Sequence, residues 1–321
     1  MWNSSATNYS ESAAGPNRQF TANTSQFVVL VIAFLLNTAV LSAILLRVTF
    51  RTPFNLILAN LFLANLSYIL IQGVFCFQNA FLERAAWYIP SNRMGYAYAI
   101  RYAGIVQVLA HAGISINRCW AVTWPYSYQR HFHSRTSAVF CVAVWILGHL
   151  VALPRVFTVL KYRGMPDIGE DAVQTTIVRF TGVFIEILVL VMFPYIWYKR
   201  TQLLRRISAA VKGIDPPSTI MHSVQQLQIQ GLRTSERSSS FILLILTTLS
   251  LTLTWTPGFV AEATAGFHPL LSSLRAWCAV VYAFQAVLDP LLFAFIVWES
   301  QKYVRSARNR LHQIGGTPQH F

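Results

Sequence analysis

Arg101, Glu186 and Asp289 are ionisable residues that lie inside long runs of apolar residues, where a charge is costly to keep. A group of this kind is by default a candidate for ligand contact, ion binding or a polar network. Arg101 and Glu186 could contact a ligand, or they could pair and neutralise each other. Asp289 could hold a sodium ion, or it could be a protonated member of a hydrogen-bonded network.

The pattern of reactive side chains does not indicate catalysis. His111 and His149 also lie in apolar runs, but a hydrolase or transferase needs histidine at a suitable spacing from a carboxylate or a metal cluster. No such spacing is visible, so both histidines are expected to be hydrogen-bonded contacts between helices. The four cysteines show no metal-ligand spacing and imply no disulfide framework. We therefore expect neither an enzyme nor a cofactor.

The elements that carry these residues are long apolar segments. Of the 321 residues 55% are hydrophobic and only 11% are charged, whereas a soluble chain carries about 25% charged residues. Runs long enough to cross a bilayer lie at about 27–46, 55–77, 97–119, 138–158, 177–198, 239–261 and 274–297. This pattern predicts an all-α bundle of seven membrane helices in one domain, 27–298. The basic segment 299–321 is expected to form a short amphipathic helix and a tail.

Two independent signals predict the orientation. The tail 1–26 carries glycosylation sequons at Asn3, Asn8 and Asn23, and such acceptors are used on the lumenal side. Most of the 25 lysines and arginines fall on the opposite side if the tail is outside. We therefore expect a plasma-membrane protein with an extracellular, glycosylated N-terminus and a cytoplasmic C-terminus.

A set of short motifs occurs in order along the predicted helices. They are Asn37, then Asn55-Leu56 with Leu63-Ala64-Asn65-Leu66, Asn117-Arg118-Cys119 with Pro125 and Tyr128, Trp145 with Pro154, Pro194 with Tyr198, Thr254-Trp255-Thr256-Pro257, and Asp289-Pro290-Leu291-Leu292-Phe293. In this series the chain resembles the rhodopsin-like (class A) family of G-protein-coupled receptors over about residues 27–311. Its departures from the family pattern suggest a divergent, invertebrate-type member of orphan or chemosensory character.

The resemblance implies roles in switching and coupling for one group of residues: Asn117, Arg118, Tyr198, Glu236, Pro257, Asp289, Pro290 and Phe293. Arg118 would contact a heterotrimeric G protein, although its neighbour Asn117 lacks the usual acid. Glu236 could restrain Arg118, or it could be a solvated loop residue. Pro257 and Pro290 each remove a backbone hydrogen bond and leave a carbonyl that neighbours or water must satisfy.

The resemblance also places a ligand between the outer halves of the helices. The candidate pocket residues are Arg101, Tyr102, Gly104, Glu186, Trp255, Phe259, Glu262, Cys278 and Tyr282. An interior polar cluster is expected from Asn37, Asn65, Gln107, Gln285 and Asp289, with sodium possible near Asp289.

The function predicted on this basis is that of a receptor. It would bind an extracellular small molecule or peptide and activate a heterotrimeric G protein. Membrane lipid is its other expected partner, and binding to nucleic acid is not expected. The alternative is a small polytopic transporter with Arg101, Glu186 and Asp289 along a substrate path. Transporters commonly contain inverted repeats, and the sequence shows none.

Overall fold

The computed structural model describes four long segments and several short helical ones. These are residues 16–47, 52–81, 90–153 and 277–298, together with 187, 191–192, 194–199, 201–202, 205, 246, 249–250 and 252–257. All regular structure within them is helical, so the prediction of an all-α protein is confirmed. The predicted runs 177–198 and 239–261 fall mostly outside the described residues, and 299–321 falls outside them entirely.

Six helices make up most of the described residues. They are α1 (Pro16–Leu46), α2 (Pro53–Phe81), α3 (Pro90–Thr123), α4 (Pro125–His131), α5 (Ser134–Ala152) and Trp277–Trp298, which is called the 277–298 helix below. Four of them begin with proline, whose fixed φ suits the first helical position and whose missing N–H is not needed there. Proline at these positions therefore marks helix starts that hydropathy alone leaves imprecise.

The first helix begins earlier than the apolar run. It starts at Pro16, whereas the run was expected from about residue 27. Asn23 consequently lies within α1 with a half-buried side chain.

Within the part of the chain that the structure describes, five helices are long and apolar enough to cross a membrane. The qualifying segments are Phe20–Leu46, Pro53–Phe81, Tyr98–Ala121, Ser134–Ala152 and Trp277–Trp298. Each coincides with one of the predicted runs, and each exceeds or nearly reaches the roughly 20 residues that the hydrocarbon core requires. These five membrane helices are therefore confirmed, and the protein is a membrane protein.

α3 and α2 are the most buried of the five described membrane helices. In their apolar windows 61% and 56% of residues are buried, against 44% in the 277–298 helix and 22% in α1 and in α5. Small residues let α5 approach α3 closely, as in many membrane helix pairs. A Cβ atom at Gly113 would lie 2.5 Å from Phe140, and one at Gly148 would lie 2.5 Å from Val106. The burial of α3 brings its polar residues into contact with several helices at once.

Side-chain contacts join α2 to α5 and to the 277–298 helix. The Trp145 indole on α5 donates a hydrogen bond of 2.7 Å to Asn60 Oδ1 on α2. Phe62 on α2 meets Phe293 of the 277–298 helix edge to face, with ring centroids 5.6 Å apart. Phe293, expected to take part in switching, is thus a buried core residue.

Candidate functional site

A cluster of polar side chains lies between the described helices. One of its contacts joins Asn37 to the helix backbone one turn before Pro290. Proline at 290 has no N–H, so the carbonyl oxygen of Ala286, four residues earlier, lacks its helical donor. The Asn37 amide donates a hydrogen bond of 2.6 Å to that oxygen and one of 2.7 Å to the Ala33 carbonyl. The prediction that neighbours would satisfy a carbonyl freed by proline is therefore confirmed at Pro290.

Asp289 is the acid of this cluster, and its side chain is completely buried. Asn65 Nδ2 donates to Asp289 Oδ2 at 3.0 Å and to Asn37 Oδ1 at 3.2 Å. His111 Nε2 on α3 lies 3.2 Å from the same Asp289 oxygen. The carboxylate therefore joins α2 and α3 to the 277–298 helix, and Asn65 links it to Asn37 on α1.

Gln285 extends the cluster toward the helical segment 252–257. Its Nε2 lies 2.8 Å from His111 Nε2, and its Oε1 lies 2.9 Å from the Thr254 hydroxyl. The same hydroxyl lies 2.7 Å from the Ser250 carbonyl oxygen. Four of the five residues predicted for the cluster thus form one connected network, in which His111 is the member that spacing did not identify.

Gln107, the fifth predicted member, lies elsewhere. Its Oε1 accepts a hydrogen bond of 3.1 Å from the Tyr282 hydroxyl. The Tyr282 ring in turn meets Trp255 at 4.2 Å and Tyr68 at 4.8 Å between centroids. A polar contact inside an aromatic group of this kind is typical of small-molecule sites.

Gly104 provides space beside these rings. A Cβ atom there would lie 3.5 Å from the Tyr282 hydroxyl oxygen and 3.9 Å from Trp255 Cη2, which is ordinary contact. Gly104, Tyr282 and Trp255, all predicted pocket residues, are thus brought together. This site lies about 21 Å along α3 from Arg118, fourteen residues away.

Two other predicted pocket residues on α3 have different surroundings. The Tyr102 ring stacks on His149 of α5 at 3.9 Å between centroids and also contacts Trp145 and Tyr98. His149 further accepts or donates a hydrogen bond of 2.8 Å with the Tyr98 hydroxyl. Arg101 is half-buried, one turn from Gly104. The described ring contacts of Tyr102 are therefore with α3 and α5 rather than with Trp255 and Tyr282.

The other end of α3 carries Arg118. Its guanidinium carbon lies 3.2 Å from the centroid of the Phe54 ring on α2, a geometry in which the negative ring face attracts the cation. Among the described residues, none accepts a hydrogen bond from its buried Nε. The charge of Arg118 is thus placed on an aromatic face.

Asn117, next to Arg118, is engaged with α4. Its Oδ1 accepts a hydrogen bond of 3.3 Å from the Tyr128 hydroxyl. Burial raises the pKa of the Tyr128 phenol, while the charge of Arg118 and the hydrogen bond to Asn117 act in the opposite direction. The phenol therefore stays protonated and keeps its donor role. Asn117 positions α4 instead of pairing with Arg118.

A sodium ion fits the polar cluster poorly. Hard cations are held by several oxygen ligands, but Asn37 Oδ1 already accepts from Asn65, Gln107 Oε1 accepts from a tyrosine, and Asp289 Oδ2 faces two nitrogens. Among the described residues, Asp289 Oδ1 and Asn65 Oδ1 are the cluster oxygens left without a donor. Two oxygens beside a basic imidazole ring are few for a hard cation.

Tyr198 and Pro257 lie in short described segments, and other predicted residues lie outside the described part of the chain. Tyr198 is exposed and accepts a hydrogen bond of 2.7 Å from Gln202. Pro257 is exposed, and its carbonyl oxygen lies 3.5 Å from the Cys278 sulfur. The remaining predictions fall outside the described residues, namely Asn3, Asn8, Glu186, Glu236, Phe259 and Glu262.

These features define a class of protein: a helical membrane protein with a buried polar network and an arginine at one end of α3. Residues 36–293 match the 7 transmembrane receptor (rhodopsin family), and the chain belongs to this family. The fold is therefore a bundle of seven membrane helices, as predicted, and the family consists of receptors rather than enzymes.

Two curated relatives match part of the chain. The Mas-related G-protein coupled receptor member F of Homo sapiens is 33% identical over 119 residues, which cover 36% of this chain and 34% of that protein. The Proto-oncogene Mas of Rattus norvegicus is 27% identical over 150 residues, covering 44% of this chain and 42% of that protein. The matched stretches span well under half of these relatives. Both are mammalian, so the expectation of an invertebrate-type receptor is not confirmed.

Proposed function

We propose that this protein is a G-protein-coupled receptor whose ligand binds near Trp255 and Tyr282 and whose G protein binds near Arg118. The observation that carries the proposal is the match to the rhodopsin family over residues 36–293, which includes both ends of α3. The relative from Homo sapiens is by name a G-protein coupled receptor. Gly104, which lies beside the first site, and Arg118 both lie on α3, and His111 of the polar cluster lies between them on the same helix.

The ligand site has defined chemistry. Tyr282 and Trp255 supply aromatic surface, the Tyr282–Gln107 hydrogen bond supplies a polar group that a ligand can engage, and Gly104 leaves room beside both rings. Arg101, one turn away, adds a positive charge. These features favour a ligand with an apolar or aromatic body and a hydrogen-bonding or negative group. Such a ligand changes signalling only if it binds the active and inactive states unequally.

Arg118 is the proposed contact for the G protein. The basic residues of the loops and tail would face the anionic inner leaflet and the G protein, with the sequon-bearing N-terminus outside. Glu186, Phe259 and Glu262 are proposed as further ligand contacts, and Glu236 as a restraint on Arg118.

Nucleotide exchange on purified heterotrimers tests coupling. Membranes that contain the full chain should accelerate GDP release from at least one heterotrimer of a panel, either alone or with a member of a small-molecule and peptide library. Arg118→Ala should abolish this acceleration at equal surface expression, whereas Arg47→Ala, which changes an exposed arginine at the end of α1, should not. The proposal fails if no heterotrimer responds, and the role of Arg118 fails if its variant keeps full exchange.

Topology is tested separately. An epitope tag at the N-terminus should be accessible to antibody on intact cells, and one at the C-terminus only after permeabilisation. Enzymatic deglycosylation should reduce the apparent mass, and Asn3→Gln with Asn8→Gln should remove most of that shift. Accessibility of both tags on intact cells would contradict the proposed orientation.

A further inference from the structure

Asp289 is an acid deep within the bundle, and its charge needs a partner. Its Oδ2 accepts a hydrogen bond from Asn65 Nδ2 and lies 3.2 Å from His111 Nε2. Among the described residues around this carboxylate, His111 is the one able to carry a positive charge. A buried carboxylate without a counter-ion is far more costly than a paired one, so the state of His111 decides how Asp289 is tolerated.

The hydrogen bonds of Thr254 bear on which end of the Gln285 amide faces His111. The Thr254 hydroxyl has one proton and lies close to the Ser250 carbonyl oxygen and to the Gln285 amide. In the structure the Gln285 oxygen lies against Thr254 and the Gln285 nitrogen lies against His111. If the hydroxyl donates to Ser250, whose carbonyl can only accept, it has no proton left for the Gln285 oxygen. Exchanging the two ends of the amide removes this conflict and turns the amide oxygen toward His111. The two ends of an amide have nearly the same shape, so this orientation fills the same space.

His111 Nε2 then faces two acceptors. The Gln285 amide lies 2.8 Å away and Asp289 Oδ2 lies 3.2 Å away. A ring nitrogen between two acceptors is stable only if it carries a proton, which it shares between them. A neutral ring with its proton on Nε2 already meets this requirement, and a second proton would add a positive charge 3.2 Å from the Asp289 carboxylate oxygen.

We propose that His111 is the resident counter-ion of Asp289 and takes the place of a metal cation in the polar cluster. The pair ties the middle of α3 to the 277–298 helix. A sodium ion at the same carboxylate would be repelled by the positive ring and would find few free oxygens. The proposal does not depend on G-protein coupling, and it can hold even if the receptor function fails.

The protonation of the ring is measured directly. The full-length protein is labelled with ¹⁵N at histidine and purified in detergent at neutral pH, and the signals of one of its eight histidines are assigned by their loss in His111→Gln. Both ring nitrogens of His111 should be of the protonated type, and Asp289→Asn should convert one of them to the unprotonated type. A wild-type ring with one unprotonated nitrogen would overturn the proposal.

The response to sodium gives a second readout. The Tm of the wild-type protein should be the same in sodium chloride and in choline chloride of equal ionic strength. His111→Leu should gain a rise in Tm specific to sodium, because Asp289 then lacks its counter-ion. The control His149→Leu, which removes an exposed histidine of α5, should behave like the wild type.

Two further variants keep this experiment decisive. His111→Leu with Asp289→Asn should lose the response to sodium, since the ion acts at the carboxylate. If His111→Leu does not fold, His111→Gln replaces it with a neutral amide of similar reach. Stabilisation of the wild-type protein by sodium, equal to that of the His111 variant, would overturn the proposal.

Discussion

The guanidinium carbon of Arg118 lies 3.2 Å from the centroid of the Phe54 ring, so a cation from α3 rests on an aromatic face from α2. Phe54 directly follows Pro53, the first residue of α2, and its position is therefore tied to the start of that helix. Asn117, which replaces the expected acid, accepts a hydrogen bond from Tyr128 instead. The described contact that stabilises the charge of Arg118 is thus aromatic.

Removing that ring should release Arg118. If Arg118 must leave Phe54 to reach a G protein, Phe54→Leu should raise ligand-free nucleotide exchange. A cation–π contact contributes about 0.5–2 kcal/mol, so the expected increase is roughly 2-fold to 30-fold. Exchange is measured on membranes with equal surface expression of each variant.

A matched aromatic variant separates this effect from loss of packing. Phe54→Tyr keeps a ring face of the same size and should keep ligand-free exchange near the wild-type rate. Equal exchange in the leucine and wild-type proteins would show that the ring does not restrain Arg118. Elevated exchange in the tyrosine variant would point to packing as the cause.

Asn37 should stabilise the fold through the carbonyl that Pro290 leaves free. Asn37→Ala removes the 2.6 Å hydrogen bond to the Ala286 oxygen together with the contact to Asn65. A buried polar group left without a partner costs about 1–3 kcal/mol, although hydrogen bonds between membrane helices average nearer 0.6 kcal/mol. The Tm of the purified protein should therefore fall.

A double-mutant cycle tests the reason for that fall. Pro290→Ala restores an N–H at position 290 that can donate to the Ala286 oxygen. Asn37→Ala should therefore cost less in the Pro290→Ala background than in the wild type, and the difference is the coupling energy of the pair. Equal costs in the two backgrounds would mean that Asn37 acts mainly through Asn65.

The parts of the structure that could be predicted from sequence follow from local rules. A membrane helix is recognised in the sequence as a long apolar run. Polar residues inside such runs, such as Asn37, Asn65 and Asp289, need hydrogen-bond partners on neighbouring helices. Pro290 predicts a carbonyl in need of a donor, because the missing N–H is a property of the residue itself. These predictions need no knowledge of how the helices are arranged.

The partners themselves depend on helix rotation and separation, which one sequence does not contain. His111 was expected to make a helix contact, but its approach to Asp289 depends on which face α3 turns to the 277–298 helix. Gln107 lies one turn away and contacts Tyr282 instead. Phe54 appears in sequence as one more apolar residue, and only its proximity to Arg118 distinguishes it.

Gly104 should control access to the proposed ligand site. A Cβ atom fits there at 3.5 Å from the Tyr282 hydroxyl oxygen, so Gly104→Ala should leave stability and signalling unchanged. Gly104→Leu should place its branched end against Tyr282 and Trp255 and abolish the response to any library compound that activates the wild type. Dose–response curves at equal surface expression measure this. A full response in the leucine variant would locate the ligand elsewhere.

The close approach of α3 and α5 gives a test of the fold that is independent of signalling. A Cβ atom at Gly113 would lie 2.5 Å from Phe140 Cε1, so even Gly113→Ala requires the ring to move. Overpacking of this kind costs about 1–3 kcal/mol, and the Tm of Gly113→Ala should fall.

Phe140→Leu removes the ring atoms that a Cβ atom at Gly113 would contact, so Gly113→Ala should cost less stability in the Phe140→Leu background. Gly73→Ala, where a Cβ atom meets nothing within 4 Å, is the matched control: it makes the same gain in helix propensity without a steric conflict and should not lower the Tm. A Gly113→Ala protein as stable as the control would show that α3 and α5 are farther apart than this packing requires.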